Sequence, residues 1–221
     1  CVMKQGIYTR DVLFILAASF FYMSTPMLVT PLITGYCESL GAGAVMMGII
    51  GGLMNICSLL CRPLMGNLAD RFSKYALSFV GGGCIFLSSL GYVLAPNAAM
   101  VAVARVVNGV GFACCSVCMS TWMSSLLPKD KIGSGMGVYG TMNALAMAVA
   151  PSIGIAVYQA MGYRPAFLFA VFSGAAIMVL IQFVGDKGRP LPADRADSAA
   201  EKTKVALVDR HVIPIALITM L

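Results

Sequence analysis

The sequence predicts an all-α membrane protein, and three observations lead to that class. Hydrophobic residues make up 59% of the 221 positions, while only 11% are Asp, Glu, Lys or Arg. A water-soluble domain of this length could not hide so much apolar surface inside one core. The apolar residues also fall into long runs separated by short polar stretches. Lipid is therefore the expected solvent for most of the chain.

Six of the apolar runs are long enough to cross a bilayer. A hydrocarbon core of roughly 30 Å requires about 20 predominantly apolar residues per helix. The predicted helices cover about residues 12–35, 42–65, 75–95, 98–126, 134–161 and 165–185. The first run is too long, and is followed by too many others, to be a cleaved signal peptide.

The polar stretch at residues 186–211 predicts a flexible linker, because it mixes Pro, Gly, Ala and both charge signs without an apolar face. Residues 212–221 resemble the start of a seventh helix, although ten residues cannot span a membrane. The chain also opens with Cys1 instead of Met. We therefore expect the first of two six-helix halves, shortened at both ends.

The distribution of Lys and Arg predicts the orientation in the membrane. Thirteen of them fall on one side, in the segments before helix 1, between helices 2 and 3, between helices 4 and 5, and after helix 6. Only Arg164 lies in a connection on the opposite side. Since positive loops stay cytoplasmic, the N-terminus and the 186–211 linker are expected in the cytoplasm of a cell whose plasma membrane holds the protein. The net charge of +6 then reflects topology, not a nucleic-acid partner.

Two short motifs do not predict a cofactor or metal site. Gly135 to Gly140 match the G-x-G-x-x-G pattern, but they open an apolar helix and not a helix within a βαβ unit, so close helix packing explains them. Cys115 and Cys118 lie inside helix 4 without a His or carboxylate at ligand spacing. We expect no cofactor, no metal and no catalytic set, and hence no enzyme.

Arg105 is a candidate functional residue because it lies about eight residues into helix 4. A guanidinium at that depth costs a few kcal/mol on insertion scales, and buried membrane charges usually face the bundle interior or a watery cavity. Snorkelling to the interface is the alternative.

The connection between helices 2 and 3 contains Gly66, Leu68, Ala69, Asp70, Arg71 and Lys74. These residues resemble the G-x-L-A-D-R-x-G-[RK] motif that joins helices 2 and 3 in the major facilitator superfamily, in particular in its twelve-helix drug:proton antiporter branch. Ser73 replaces the second glycine, and Tyr75 replaces a following basic residue. The helix 4 motif is matched by Arg105, Gly109 and Gly111, with Asn108 where glutamine is common.

The antiporter motif of helix 5 is matched by Gly137, Pro151 and Gly154. Ala146 and Ala150 stand in for glycines as small residues, whereas Val157 departs from the last glycine. Pro151 removes a backbone donor, so it is expected to kink or loosen the helix beside small neighbours. Such a bend could act as a gate or could be a static kink.

The resemblance implies a six-helix half of a major facilitator fold, a 3+3 inverted repeat that rocks against a second half around a site near the bilayer midplane. It also implies that Asp70 faces a helix N-terminus of that half as a latch. The polar membrane residues that could line the substrate route are Thr25, Thr30, Asn55, Arg105, Asn108 and Asn143.

The expected function is export of small molecules by alternating access, with protons as the coupling ion. An uptake permease of the same superfamily is the alternative, and a non-transporting scaffold is a third hypothesis. No carboxylate lies deep in any of the six spans. The coupling acid therefore belongs to the second half, or is Asp11 or Asp70, or coupling does not use protons.

Overall fold

The computed structural model describes residues 8–188, and within them it contains six α-helices. Their bounds are Arg10–Ser39 (α1), Ala44–Arg71 (α2), Lys74–Leu94 (α3), Ala98–Leu126 (α4), Ile132–Met161 (α5) and Tyr163–Gln182 (α6). Each helix is long and apolar enough to cross a membrane. The predicted all-α class with six spanning helices is confirmed. The linker from residue 189 onward and the predicted seventh helix lie outside the described residues.

Helix α2 extends beyond the apolar run of sequence that predicted it. We predicted that helix 2 ends near residue 65, but α2 continues to Arg71 and only Phe72 and Ser73 separate it from α3. The stretch from Gly66 to Arg71 is therefore the end of a helix and not a turn. Hydropathy marks the part of a helix that lies in lipid, whereas backbone hydrogen bonds can continue beyond it into a polar environment.

The helix ends follow local chemistry. Thr9 and Asn97 precede α1 and α4, and their side-chain oxygens accept hydrogen bonds from Val12 N at 3.4 Å and Met100 N at 3.0 Å. Gly162 joins α5 directly to α6 with φ of +90°, a backbone conformation that favours glycine. We call the end where α1, α3 and α5 begin the basic end, because Arg10, Lys74 and Lys129 lie there.

The six helices form two triplets with the same packing pattern. α1 packs on α5 and α6, α4 packs on α2 and α3, and α3 packs on α6. Exchanging α1, α2 and α3 with α4, α5 and α6 leaves this pattern unchanged, although the second triplet starts at the opposite end of the bundle. This arrangement is the predicted 3+3 inverted repeat.

Burial differs sharply between the helices. The most apolar windows of α1 and α4 are 61% and 56% buried, but those of α2 and α5 are only 17% buried. Small residues allow the close crossings: a Cβ on Gly109 would lie 2.7 Å from the Met54 carbonyl oxygen of α2, and a Cβ on Gly154 would lie 2.8 Å from the Leu28 carbonyl oxygen of α1. The bundle therefore has a central pair, α1 and α4, and two peripheral helices.

The segment after α6 is fastened to the basic end. Helix α6 ends at Gln182 instead of the predicted 185, and the chain then turns across the start of α1. The Asp11 carboxylate accepts hydrogen bonds from Gly185 N at 3.0 Å and Asp186 N at 3.2 Å. We call residues 183–188, held in this way, the exit clasp.

The exit clasp also contacts the start of α3. Ser73 Oγ donates to the Lys187 carbonyl at 2.7 Å, and Lys74 N donates to the Gly188 carbonyl at 3.0 Å. The Lys187 ammonium lies 4.4 Å from the centroid of the Tyr75 ring, within range of a cation–π interaction. Ser73 and Tyr75 are the positions that depart from the family motif, and both hold the exit of α6.

We predict that Asp11→Ala loosens the exit clasp. The rate at which a protease cleaves a locally opened segment follows the population of the open form. The variant loses the hydrogen bonds from Gly185 N and Asp186 N to the carboxylate, which are worth ~1.5 kcal/mol. The rate of tryptic cleavage after Lys187 should therefore rise about tenfold. Cleavage of the detergent-solubilised protein is followed by mass spectrometry. Cleavage after Lys129, which is exposed between α4 and α5, serves as the internal reference. An unchanged ratio of the two cleavage rates would show that Asp11 does not hold the segment.

Candidate functional site

Arg105 of α4 is the charged residue at the centre of the bundle. Its side chain is only 1% exposed. Nε lies 3.3 Å from the Ile50 carbonyl oxygen, and Nη2 lies 3.3 Å from the Gly51 carbonyl oxygen, both in α2. Nη1 lies 3.6 Å from the Met54 sulfur. The guanidinium thus connects α4 to the backbone of α2.

The same guanidinium reaches α1 through one hydroxyl. Nη1 and Nη2 each lie 3.5 Å from Thr30 Oγ1, so a single oxygen stands between the two terminal nitrogens. All of these partners are neutral, and the distances exceed the 2.7–2.9 Å or so that is common for charge-assisted bonds. No carboxylate of residues 8–188 lies within ion-pair distance of Arg105.

A second polar contact on α4 faces a different helix. Asn108 is 1% exposed, and its Nδ2 donates to Ser88 Oγ of α3 at 2.8 Å. Asn108 Oδ1 is buried without a hydrogen-bond partner among the described residues. The Tyr92 hydroxyl is also buried and lies near the Arg105 side chain, without a hydrogen-bond partner of standard geometry among the described residues. Arg105 and Asn108 therefore fix α4 between α2 and α3.

An open polar surface lies beside Arg105, between α1 and α2. Thr30 and Thr34 are exposed on α1, Asn55 is exposed on α2, and Gly51 is half-buried. The Thr34 methyl carbon lies 3.9 Å from the position of a Cβ on Gly51. Asn55 follows Gly51 by four residues and shares its helix face. We call this surface, formed by Thr30, Thr34, Gly51 and Asn55, the α1–α2 groove.

Three residues of the predicted route lie away from this groove, because Asn108 faces α3 and neither Thr25 nor Asn143 borders it. Thr25 is fully buried, and its hydroxyl donates to the Phe21 carbonyl of its own helix at 3.1 Å. Asn143 is half-buried on α5 close to the Tyr139 hydroxyl, and its Oδ1 lacks a partner among the described residues. The structure brings Thr30 and Arg105 together and places Asn55 one turn from Gly51 on α2, whereas Thr25, Asn108 and Asn143 lie elsewhere.

A buried tyrosine pair near Asn143 had no sequence signal. The hydroxyls of Tyr22 on α1 and Tyr139 on α5 lie 3.1 Å apart, and both side chains are buried. Aromatic residues are scattered through α1, α3, α4, α5 and α6, so pairing between distant helices could not be inferred from their spacing. Thr34 was also missed, although its four-residue spacing from Thr30 is a helical signal.

The helix 5 motif lies mainly in the interface with α1. Ala150 and Gly154 are buried, Pro151 is half-buried, and Gly137 is exposed nearer the basic end. Helix α5 runs without interruption from Ile132 through Pro151 to Met161. Pro151 provides no N–H for the carbonyl one turn earlier, so the backbone hydrogen bonding of α5 is weakened beside its closest approach to α1.

The motif between α2 and α3 lies at the basic end. Gly66 is half-buried with open space around its Cα, while Asp70 and Arg71 are exposed in the last turn of α2. Lys74 is half-buried at the start of α3. Neither the Asp70 nor the Arg71 side chain has a hydrogen bond or ion pair among residues 8–188. A carboxylate near a helix C-terminus is disfavoured by its own helix dipole, so Asp70 does not stabilise α2.

Comparison with known proteins gives concordant results. The Major Facilitator Superfamily profile matches residues 13–221. An uncharacterized MFS-type transporter of Mycobacterium tuberculosis is 31% identical over 119 residues, which are 54% of this chain and 21% of that protein. The multi-drug resistance efflux pump PmrA of Streptococcus pneumoniae is 27% identical over 174 residues, which are 76% of this chain and 43% of the pump.

A solved structure supports the fold. The crystal structure of a peptide transporter POT in complex with sulfate superimposes with a TM-score of 0.77 at 16% identity, covering 97% of this chain and 47% of that one. The chain thus spans less than half the length of these proteins. The profile match, together with the six helices that can span a membrane, shows that the chain belongs to the Major Facilitator Superfamily, a family of multi-pass membrane transporters and not of enzymes.

Proposed function

We propose that this chain is the first six-helix half of a transporter that exports small molecules through the plasma membrane by alternating access, driven by proton antiport. The observation that carries the proposal is Arg105, a buried charge beside an open polar groove between α1 and α2. An ionisable residue inside a membrane bundle is expensive and typically marks a substrate or ion pathway. Similarity to a multi-drug resistance efflux pump supports the outward direction.

The faces of α2 and α5 fit a second six-helix half. These two helices are the least buried of the bundle. Gly48 and Gly52 on α2, and Gly137 and Gly140 on α5, have no neighbouring atoms within 4 Å of a Cβ position. Exposed small residues allow helices to approach closely in a membrane. The matched part of this chain covers only 43% of the multi-drug resistance efflux pump, which leaves room for such a half in a protein of that length.

Asp70 is the proposed latch between the halves. It is exposed at the basic end, which the positive-inside rule places in the cytoplasm. The negative end of its own helix disfavours the charge, whereas the positive N-terminus of a helix in the second half would stabilise it. The exit clasp fixes the start of α3 next to Asp70 and so holds the latch at a defined position.

The coupling proton is assigned to a group of the second half. Both carboxylate oxygens of Asp11 accept main-chain hydrogen bonds in the exit clasp, and Asp70 lies at the helix end instead of within the span. Alternating access needs an acid that meets the route during the cycle, and neither position meets it.

We predict that Asp70→Asn slows export about tenfold, because a charge–dipole contact in a partly buried setting contributes up to ~2 kcal/mol. Initial efflux rates of a fluorescent substrate from cells measure the effect at matched protein levels. Asp130→Asn is the control, since Asp130 is another exposed aspartate at the basic end, between α4 and α5. Equal rates for the two variants would remove the latch from the mechanism.

A second prediction concerns direction and coupling. Cells that produce the complete protein should accumulate less of a lipophilic dye than cells with an empty vector, and a protonophore should abolish the difference because it collapses the proton gradient. Greater accumulation would identify an uptake permease. Export that continues unchanged without a proton gradient would exclude proton antiport.

A further inference from the structure

We propose that Arg105 and Thr30 form a subsite for the anionic group of the transported molecule, a carboxylate or sulfonate that enters through the α1–α2 groove. The inference rests on the proposed function and adds the chemical class of its substrate. It begins from the mismatch between the full charge of Arg105 and the neutral groups that surround it.

The protein groups around Arg105 compensate its charge only in part. Its acceptors are two helix carbonyls, one hydroxyl and a thioether, at 3.3 to 3.6 Å. Carbonyls in the middle of a helix also accept the hydrogen bonds of the helix itself. A guanidinium in a low-dielectric site gains much more from a carboxylate, which accepts two parallel hydrogen bonds at shorter distances.

The two terminal nitrogens of the guanidinium, which form a fork, are directed at the groove. Nη1 and Nη2 both contact Thr30 Oγ1 at 3.5 Å, so the position that a bidentate anion would take is held by one neutral oxygen. Thr30 is exposed although Arg105 is buried. A Thr30 rotamer that turns its Cβ hydrogen toward Arg105 would open the fork to the groove without moving a helix.

The remainder of the groove suits an amphipathic anion. Thr34 and Asn55 offer neutral hydrogen-bonding groups, and Gly51 adds no side chain to the wall between them. Ile49 and Ile56 of α2 are 59% and 58% exposed and supply apolar surface on the same helix. Among the described residues, Glu38 is the acid of this α1 face, two turns or roughly 12 Å from Thr30.

A matched pair of dyes tests the subsite. 8-Anilinonaphthalene-1-sulfonate carries a sulfonate, and N-phenyl-1-naphthylamine has the same aromatic skeleton without it. Both are titrated by fluorescence into the complete purified protein, and thermal unfolding is recorded in parallel. The variants are Thr30→Asp, which places a carboxylate in the fork, and Thr30→Asn, which has the same shape without the charge.

The expected result separates charge from shape. Thr30→Asp should weaken binding of the sulfonate dye more than tenfold and raise the unfolding temperature, because the variant carboxylate pairs with Arg105. Thr30→Asn keeps a neutral hydrogen-bonding group at this position, so it should lose much less sulfonate binding than Thr30→Asp, and the uncharged dye should bind equally well to the two variants. Parallel losses of both dyes in Thr30→Asp would overturn the subsite.

The fork could already be filled by a carboxylate of the second half, which has the same chemistry from another source. In that case the parent protein would not prefer the sulfonate dye, and Thr30→Asp would lower the unfolding temperature through repulsion between like charges. That outcome also overturns the proposal. Dye flux in proteoliposomes is measured separately: if neither dye moves, the proposed transport function fails, while the binding titrations still decide the subsite.

Discussion

The burial of one guanidinium constrains the arrangement of three helices. Arg105 cannot reach water with 1% of its surface exposed, so its donors must be met inside the bundle. Two backbone carbonyls of α2 can accept from Arg105 because Gly109 has no side chain and therefore lets α4 pack close to the α2 backbone. Thr30 completes the contact from α1. The crossing of α4 with α2 and the position of α1 are thus coupled through a single charge.

The two triplets give this coupling a mechanical setting. The central helices α1 and α4 are buried against both neighbours, whereas α2 and α5 present most of their surface outward. Arg105 connects a central helix to the peripheral α2, and the pair Tyr22 and Tyr139 connects the other central helix to the peripheral α5. Among the described residues, each peripheral helix is therefore joined to a central helix through a buried polar side chain. Forces applied to the outer faces of α2 and α5 would reach α1 and α4 through these two contacts.

Much of the fold could be predicted from the sequence because lipid imposes a simple length rule on apolar helices. The end of α2 could not, since residues up to Arg71 are helical beyond the apolar run. Arg105 was identifiable as a rare buried charge, but its partners at Ile50 and Gly51 are backbone atoms that carry no sequence pattern. Thr25 and Thr30 appeared equivalent. Five residues rotate a helix by about 140° net, which explains why one is buried and the other exposed.

The central claim, that the α1–α2 groove faces a water-filled route dominated by the charge of Arg105, is tested most directly by thiol labelling of Thr30→Cys. Its rates with an anionic and a cationic membrane-impermeant methanethiosulfonate are compared with those of Val103→Cys, on the exposed apolar surface of α4. Labelling beyond the parent protein should occur at position 30, faster with the anionic reagent, and not at position 103. Absent labelling at position 30, or equal rates with both reagents, would contradict the account.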